Sequence, residues 1–403
     1  MKQKVRETSI VLRFLSSILA SIFMLMIVLY LNCEFIIGPD LPEKWTEYDP
    51  AELYPDFEYE GLTPSCLACP DCDPKFTFFA KGGRTNNLII YFEGGGACWD
   101  SMNCLYVPTC TQEASSIDIF DNTEGRGIFD TDNEHNPFKD WHFVYIPYCT
   151  GDIHWGAKDN EYQDHLVSLP FESWTIRHRG HVNFQVVLKW IKNTFKFPNR
   201  IFITGSSAGA YGAIVNFPFI KEAFQESRIF TLGDAGNGVS TEEFQVSSIY
   251  NWNIQLPAWI PGYEDGYTPD MTFEVMYKDY ANYYNSSCIA QFTTAWDWNQ
   301  TFYYYIMKNI NDPQSWEDDW PDEWFAWRDQ MLEYAYSTAG EADNYRYYIA
   351  SGSYHTIMMS PRFYTEDSTG IPFIDWINSM LNRGSINWNN LECEDCSDPV
   401  SCP

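Results

Sequence analysis

Apolar residues in the middle of the chain fall into short runs, and longer segments with helical periodicity separate several of them. The runs end in glycine, proline or polar residues, as buried strands do. They occupy 87–92, 141–148, 200–204, 228–232, 288–294 and 345–350. An amphipathic helix is predicted over 177–195, where apolar residues recur at helical spacing. This alternation predicts an α/β fold with a mostly parallel sheet and helices on both faces.

The first 33 residues have a different pattern. Basic residues, the last of them Arg13, precede an uncharged apolar run over 14–31, and acidic residues follow it. The segment 1–33 is interpreted either as a cleaved signal peptide or as a retained type II anchor. Under both interpretations the residues after 33 are exported. We therefore expect a secreted or membrane-anchored protein whose domain faces the extracellular or lumenal side. An acidic linker over 34–60 and a single domain over 61–403 with a Cys-rich tail are expected to follow.

The charge balance limits the class of partner. The chain has 403 residues, with 25 Lys+Arg against 55 Asp+Glu and a formal net charge of −30. Contacts to phosphates need a basic surface, so this balance argues against nucleic-acid binding. The hydrophobic fraction of 45% and the aromatic fraction of 18% exclude a disordered chain and allow a large buried core.

The 12 cysteines are typical of an oxidising compartment. Without Cys33 of the N-terminal segment an odd number remains, which predicts at least one free thiol. The Cys-x-x-Cys spacings within 66–72 and 393–396 are also those of two halves of a zinc site. Export favours disulfides instead, and a bridge between these clusters would tie the start of the domain to its end. Sequons at Asn285 and Asn299 indicate surface positions for glycosylation.

The segment Gly205-Ser206-Ser207-Ala208-Gly209 lies between a predicted strand and a predicted helix. In that context G-x-S-x-G is typical of a nucleophile elbow, in which small neighbours let the backbone close tightly around the serine. A serine hydroxyl needs a base to take its proton, and in this arrangement the acid and then the histidine follow the serine. His355 is the sole histidine after Ser207 in the sequence, so we expect it to be the base.

Several carboxylates between the serine and the histidine could orient the imidazole. Asp297 is favoured because it follows a predicted strand directly, where a carboxylate can point along the strand end. Asp234, in Gly233-Asp234-Ala235-Gly236, is the rival. The residues alone leave both candidates open.

Acyl transfer also needs backbone N–H donors for the oxyanion of its tetrahedral intermediate. One expected source is Ala208, the residue after the nucleophile. The other is the glycine-rich segment after strand 87–92, in which Gly95 and Gly96 can turn their N–H groups into the site. A phosphate cradle is the alternative for these glycines, but the Lys-Ser/Thr of a P-loop is missing.

Five short motifs are spread over about residues 60 to 360. They are Tyr91-Phe92-Glu93-Gly94-Gly95-Gly96-Ala97-Cys98-Trp99, Pro147-Tyr148-Cys149-Thr150-Gly151-Asp152, the elbow, Asp234-Ala235-Gly236 and Asp297-Trp298-Asn299-Gln300. In this order they resemble the pectin acetylesterase family, which includes the animal Notum carboxylesterases. The resemblance implies an α/β-hydrolase-type fold, an extracellular setting, no cofactor or metal, and a triad of Ser207, Asp297 and His355. It favours Asp297 over Asp234, because the acid of the family lies in a D-x-x-Q context.

The expected activity is that of a serine carboxylesterase. The leading expectation is removal of acetyl groups from a pectin-like polysaccharide, and the alternative is a Notum-like deacylase of a lipid-modified protein with a deep apolar pocket. A non-catalytic binding protein on a hydrolase scaffold is the alternative from another class.

A stripe of aromatic residues falls on a helix predicted to start near Pro321. Trp320, Trp324 and Trp327 recur at helical spacing. The stripe is interpreted either as a core-facing surface or as a lid over the site.

Overall fold

The computed structural model describes residues 18–19, 21–24, 38–68, 73–120, 126–163, 173–317, 321–382 and 388–396. Its strands are β1 (Thr46–Tyr48), β2 (Phe78–Lys81), β3 (Asn87–Phe92), β4 (His142–Ile146), β5 (Lys158–Gln163), β6 (Ser173–His178), β7 (Arg200–Ser206), β8 (Arg228–Asp234), β9 (Cys288–Thr294), β10 (Tyr345–Ala350) and β11 (Leu391–Glu392). Its α-helices include α1 (Pro50–Leu53), α2 (Gly180–Thr194), α3 (Ala208–Ala223), α4 (Glu242–Val246), α5 (Phe273–Tyr283), α6 (Trp298–Lys308), α7 (Pro321–Glu341), α8 (Arg362–Thr365) and α9 (Phe373–Leu381).

One large sheet organises the molecule, with the strand order β1-β2-β4-β3-β7-β8-β9-β10-β11. The β1–β2 and β2–β4 pairs are antiparallel, and the other neighbours are parallel. Strands β5 and β6 form a separate antiparallel hairpin. The α/β class is therefore confirmed. The parallel strands end at one edge of the sheet, so the loops after β3, β7, β8, β9 and β10 meet there.

Both faces of the sheet are buried, which explains why its central strands are continuous apolar runs in the sequence. In β3, Leu88 and Ile90 belong to a core that includes residues of α2, α3 and α5. Ile89 and Tyr91 point to the opposite face and belong to a second core that includes α9.

The predicted elements mostly agree with the observed ones. Strands β9 and β10 have the predicted bounds, whereas β7 and β8 each run two residues further than predicted. The helix predicted over 177–195 begins only at Gly180. Arg177 instead pairs with Asp159 in the hairpin, which the sequence pattern did not indicate.

Residues 46–48 lie in the range expected to be an acidic linker, but they form β1 at the edge of the sheet. This strand is hydrogen-bonded to β2. Next to it, the Trp45 ring stacks on Phe120 with centroids 3.9 Å apart. Backbone pairing and aromatic packing thus attach this part of 34–60 to the domain, and the expectation of a loose linker is wrong here.

The apolar run over 14–31 lies mostly outside the described residues, so the choice between signal peptide and anchor stays a prediction. Among the residues that the structure does describe, no helix is long and apolar enough to cross a membrane.

Disulfides join three pairs of cysteines in the described ranges: Cys66–Cys149, Cys98–Cys104 and Cys393–Cys396. The zinc-site alternative is wrong, because the sulfur atoms of Cys66 and Cys393 are already bonded. The expected bridge between the two clusters is also not formed, since Cys393 pairs within its own tail. Cys110 is a free thiol, as the odd count predicted. Cys69, Cys72 and Cys402 lie outside the described residues.

Candidate active site

The predicted elbow is present between β7 and α3. Ser207 has φ 56° and ψ −124°, a conformation that non-glycine residues rarely adopt. A Cβ atom at Gly205 would lie 2.3 Å from the carbonyl oxygen of Gly209, and one at Gly209 would lie 2.0 Å from that of Phe92. Both flanking positions therefore require glycine. The Ser207 N–H donates to the carbonyl of Asp234 at 2.8 Å.

The structure brings Asp297 and His355 together at the ends of β9 and β10. Nδ1 of His355 lies 2.9 Å from both carboxylate oxygens of Asp297. The carboxylate is fully buried, and 14% of the imidazole is exposed. A carboxylate accepts hydrogen bonds, so Nδ1 carries the proton and Nε2 is the basic atom of the neutral ring. Nε2 is buried without a hydrogen-bond partner among the described residues.

The D-x-x-Q context of Asp297 has a structural explanation. Asp297 caps the N-terminus of α6, and Oδ1 accepts the backbone N–H groups of Asn299 and Gln300 at 3.0 Å each. The side-chain amide of Gln300 also donates to Oδ2 at 3.0 Å. Gln300 is held by Asn237, whose N–H donates to its Oε1 at 2.8 Å. The two backbone N–H groups and the Gln300 amide together fix the orientation of the carboxylate that binds the imidazole.

Opposing effects act on the imidazole. Burial alone would lower the pKa of His355. The charge of Asp297, its hydrogen bond and the charge of Asp234 outweigh burial and raise the pKa above its usual value.

Asp234, the rival acid, lies at the end of β8 with a different set of partners. It is fully buried, and its carboxylate accepts the backbone N–H groups of Ile357 and Met358. It also accepts the hydroxyl of Ser206 at 2.6 Å. Asp234 therefore holds the loop that carries His355 but makes no hydrogen bond to the imidazole.

The glycine loop after β3 passes directly against the elbow. A Cβ atom at Gly94 would lie 3.0 Å from Cβ of Ser207. Gly95 and Gly96 have φ values of 155° and 76°, and a Cβ at Gly96 would lie 2.0 Å from the carbonyl of Thr109. Within the described part of the chain, no acceptor pairs with the N–H groups of Gly95, Gly96 or Ala208.

Glu93 supports this loop, a role that the sequence analysis missed. Its carboxylate accepts the backbone N–H of Tyr148 at 3.0 Å and the hydroxyl of Ser115 at 2.5 Å. The ring of His154 pairs with the carbonyl of Glu93 at 2.8 Å. Burial raises the pKa of Glu93. The available signal was a charged residue placed between a buried strand and three glycines.

A cavity opens beside Ser207 and contains about 590 Å³ of space, part of it open to solvent. Most of its wall is apolar, and none of the described residues that line it carries a charged side chain. The lining includes Ala97, Trp99, Ile153, Tyr211, Val239, Phe244, Trp252, Phe273, Tyr303, Met307 and Trp327. Asn299 of the second sequon also lines it, whereas Asn285 of the first is exposed.

The aromatic stripe on α7 faces the core. Trp327 is 1% exposed and packs with Trp296 and Met331 in one cluster, against which Trp324 also packs. Trp327 is at the same time part of the cavity wall. Trp320 lies outside the described residues. The core-facing interpretation therefore holds for this helix, and one of its tryptophans also shapes the site.

Known proteins resemble this chain in sequence. Palmitoleoyl-protein carboxylesterase NOTUM of Mus musculus is 24% identical over 178 residues, which cover 43% of this chain and 33% of the relative. Pectin acetylesterase 4 of Arabidopsis thaliana is 22% identical over 159 residues, which cover 39% of this chain and 37% of the relative. The matched segment thus spans about a third of the length of these relatives.

The fold is similar to that of the Wnt deacylase Notum from Drosophila, which has been solved by crystallography. The TM-score is 0.51 at 16% sequence identity, and the match covers 81% of this chain and 93% of that one. This likeness confirms the α/β-hydrolase-type fold. The family model for pectinacetylesterase matches residues 65–318, which include the glycine loop, the elbow and Asp297. The chain therefore belongs to the pectinacetylesterase family, as its motifs indicated.

Proposed function

We propose that the chain is a serine carboxylesterase in which Ser207 is the nucleophile, His355 the general base and Asp297 the group that orients the imidazole. One observation carries the proposal. The buried Asp297 holds Nδ1 of His355, at the same sheet edge where the elbow presents Ser207 to a cavity.

In the proposed acylation step, the hydroxyl oxygen of Ser207 attacks the ester carbonyl carbon while its proton moves to Nε2 of His355. The imidazolium then gives this proton to the departing alcohol as the ester C–O bond breaks. Water attacks the acyl-enzyme by the same route and releases a carboxylic acid and the free serine. Asp297 stabilises the imidazolium without taking its proton.

The oxyanion of the tetrahedral intermediate would be met by the N–H groups of Gly95, Gly96 and Ala208. Their lack of acceptors within the described ranges supports this role. Ala208 is the first residue of α3, so the positive end of the helix dipole points at the same place. Such preorganised donors often supply the largest share of an enzyme's rate enhancement.

The cavity favours an acyl group longer than acetyl. Most of its wall is apolar, and no charged side chain of the described residues lines it. Desolvating a long apolar chain there is favourable by about 0.8 kcal/mol per buried CH₂, whereas acetyl would use little of this wall. A net charge of −30 also opposes a polyanionic carrier such as unesterified pectin.

The proposed substrate is a lipid-modified protein that bears the ester. The chain would act on it in an oxidising compartment outside the cytosol. The mouse relative is a palmitoleoyl-protein carboxylesterase and the Drosophila neighbour a Wnt deacylase. The disulfides support the compartment. Acetyl removal from polysaccharide is the rival function.

A panel of p-nitrophenyl esters from acetyl to palmitoyl tests the proposal. We expect kcat/KM to rise with acyl length and to peak well beyond acetyl. A peak at acetyl would select the polysaccharide acetylesterase instead.

Ser207→Ala is the variant that tests the nucleophile. Ser207→Ala should lose nearly all turnover and all labelling by a fluorophosphonate, with an unchanged thermal transition. A wild-type protein that neither labels nor hydrolyses any ester would be a non-catalytic member of the family.

A further inference from the structure

We propose that Asp234 is a positioning residue for the reaction, because it ties the strand end that carries the nucleophile to the loop that carries the base. The inference rests on the proposed function. It concerns a carboxylate that makes no hydrogen bond to the imidazole and therefore has no place in the triad itself.

On one side Asp234 fixes the path of the histidine loop. The backbone N–H of Ile357 lies 3.0 Å from both carboxylate oxygens, and that of Met358 lies 2.9 Å from Oδ2. These residues are second and third after His355. With their N–H groups bound, the backbone leaving the histidine cannot shift without breaking bonds to a buried charge, which are stronger than neutral ones.

On the other side Asp234 holds the elbow. Its backbone carbonyl accepts the N–H of Ser207 at 2.8 Å, and Oδ2 accepts the hydroxyl of Ser206 at 2.6 Å. The Ser206 hydroxyl gives its single proton to the carboxylate, so Tyr91 donates to Ser206 at 2.8 Å. One residue thus sets the position of nucleophile and base relative to each other.

The charge of Asp234 adds a second effect. The groups that face it are His355, Tyr354 and, through Ser206, Tyr91. No cation pairs with it in the described ranges, and burial raises its pKa to about 6. Its charge raises the pKa of His355 and so favours the imidazolium that forms during turnover.

Asp234→Asn tests the inference, because the amide keeps the size and one acceptor but loses the charge. Asp152→Asn is the matched control. Asp152 is likewise fully buried and accepts the N–H groups of Gly156 and Gly180 at 3.0 and 2.7 Å. Burial raises its pKa to about 6 as well.

The measurement is the pH profile of kcat/KM for one p-nitrophenyl ester, with active sites counted by fluorophosphonate titration. For Asp234→Asn we expect kcat per titrated site to fall about 10²-fold, the effect of a small misplacement of reacting groups. KM should change little. The acid limb of the profile, where activity falls as His355 is protonated, should move to lower pH. Asp152→Asn should leave the acid limb in place.

A lower number of titratable sites with unchanged kcat per site and an unmoved limb would show that Asp234 is merely structural, and would overturn the inference. If Asp234→Asn does not fold, Ser206→Ala decides. It should lower kcat per site about tenfold at constant KM, as expected for a lost hydrogen bond to a charged group, and an unchanged kcat would overturn the inference. An inactive, unlabelled wild type would instead overturn the proposed function and this inference with it.

Discussion

Strands β8 and β9 each end at or near a fully buried aspartate that lies close to the same histidine, yet the two carboxylates bind different partners. Asp297 binds the imidazole, and Asp234 binds the backbone beyond it. The difference lies in the backbone at the end of each strand. Asp297 is the N-cap of α6. Helix N–H groups and the Gln300 amide therefore orient its carboxylate toward the imidazole. Asp234 is itself the last residue of β8, and Ala235 turns the chain away with φ 58°.

A strand-end position makes a carboxylate a candidate for the acid, and the local cap decides which group the carboxylate binds. A parallel sheet brings several acidic side chains to one edge. The helix and the Gln300 amide satisfy part of the hydrogen-bonding capacity of the Asp297 carboxylate. The rest of that capacity is available to the imidazole.

The largest expected effect separates the two aspartates directly. Asp297→Asn should lower kcat about 10⁴-fold, because the amide favours the wrong imidazole tautomer and cannot stabilise the imidazolium. Steady-state kinetics normalised to titrated sites measure it. A greater loss for Asp234→Asn than for Asp297→Asn would reverse the assignment of the acid.

The pH dependence is the next test. His355 must be neutral to accept a proton, and its pKa is raised, so activity should be lost as pH falls through a value above the usual pKa of about 6.5. Below that value kcat/KM should drop about tenfold per pH unit. If activity were lost only below the usual pKa of histidine, Asp297 would not outweigh burial in setting the pKa of His355.

A smaller effect should come from the residue that holds the acid. Gln300→Ala removes the amide donor to Oδ2 of Asp297 and should lower kcat about tenfold, the effect of one lost bond to a charged group. Asn237→Ala is the control, since its side chain contacts Gln300 but not Asp297. A Gln300→Ala variant with the kcat of the wild type would mean that the amide does not orient the acid.

The smallest effect is expected for Tyr91, which reaches Asp234 through the hydroxyl of Ser206. Tyr91→Phe removes the hydroxyl that donates to Ser206 but keeps the ring, which stacks on Tyr145 at 5.3 Å between centroids. The free energy of unfolding should fall by about 1 kcal/mol, as measured by urea denaturation. A loss of several kcal/mol would show that the Tyr91–Ser206–Asp234 chain is a major stabilising network rather than a local support.

The sequence predicted the elements that are buried on both sides. Cys288–Thr294 and Tyr345–Ala350 have the predicted bounds because continuous apolar runs mark strands of a covered parallel sheet. The hairpin of Lys158–Gln163 and Ser173–His178 was missed, since these polar strands carry no such run. Thr46–Tyr48 is too short to show a period.

The residue types of the candidate site could be predicted from the sequence, but its geometry could be predicted only in part. Ser207 and His355 stood out as candidates through the G-x-S-x-G spacing and the chain order of histidines. Asp297 was separated from Asp234 by the resemblance of its D-x-x-Q context to that of the family. The supporting roles of Glu93 and Asp234 depend on which backbone N–H groups come within reach after folding. No local pattern records these contacts.

Part of the cavity wall comes from segments of the chain that carry none of the proposed reacting groups. The proposed reacting groups lie at or near the strand ends, whereas Phe244, Trp252 and Trp327 of the wall come from other segments. Under the proposed function, substitutions in this part of the wall change which carboxylic acid is released and leave the groups that cleave the ester bond intact.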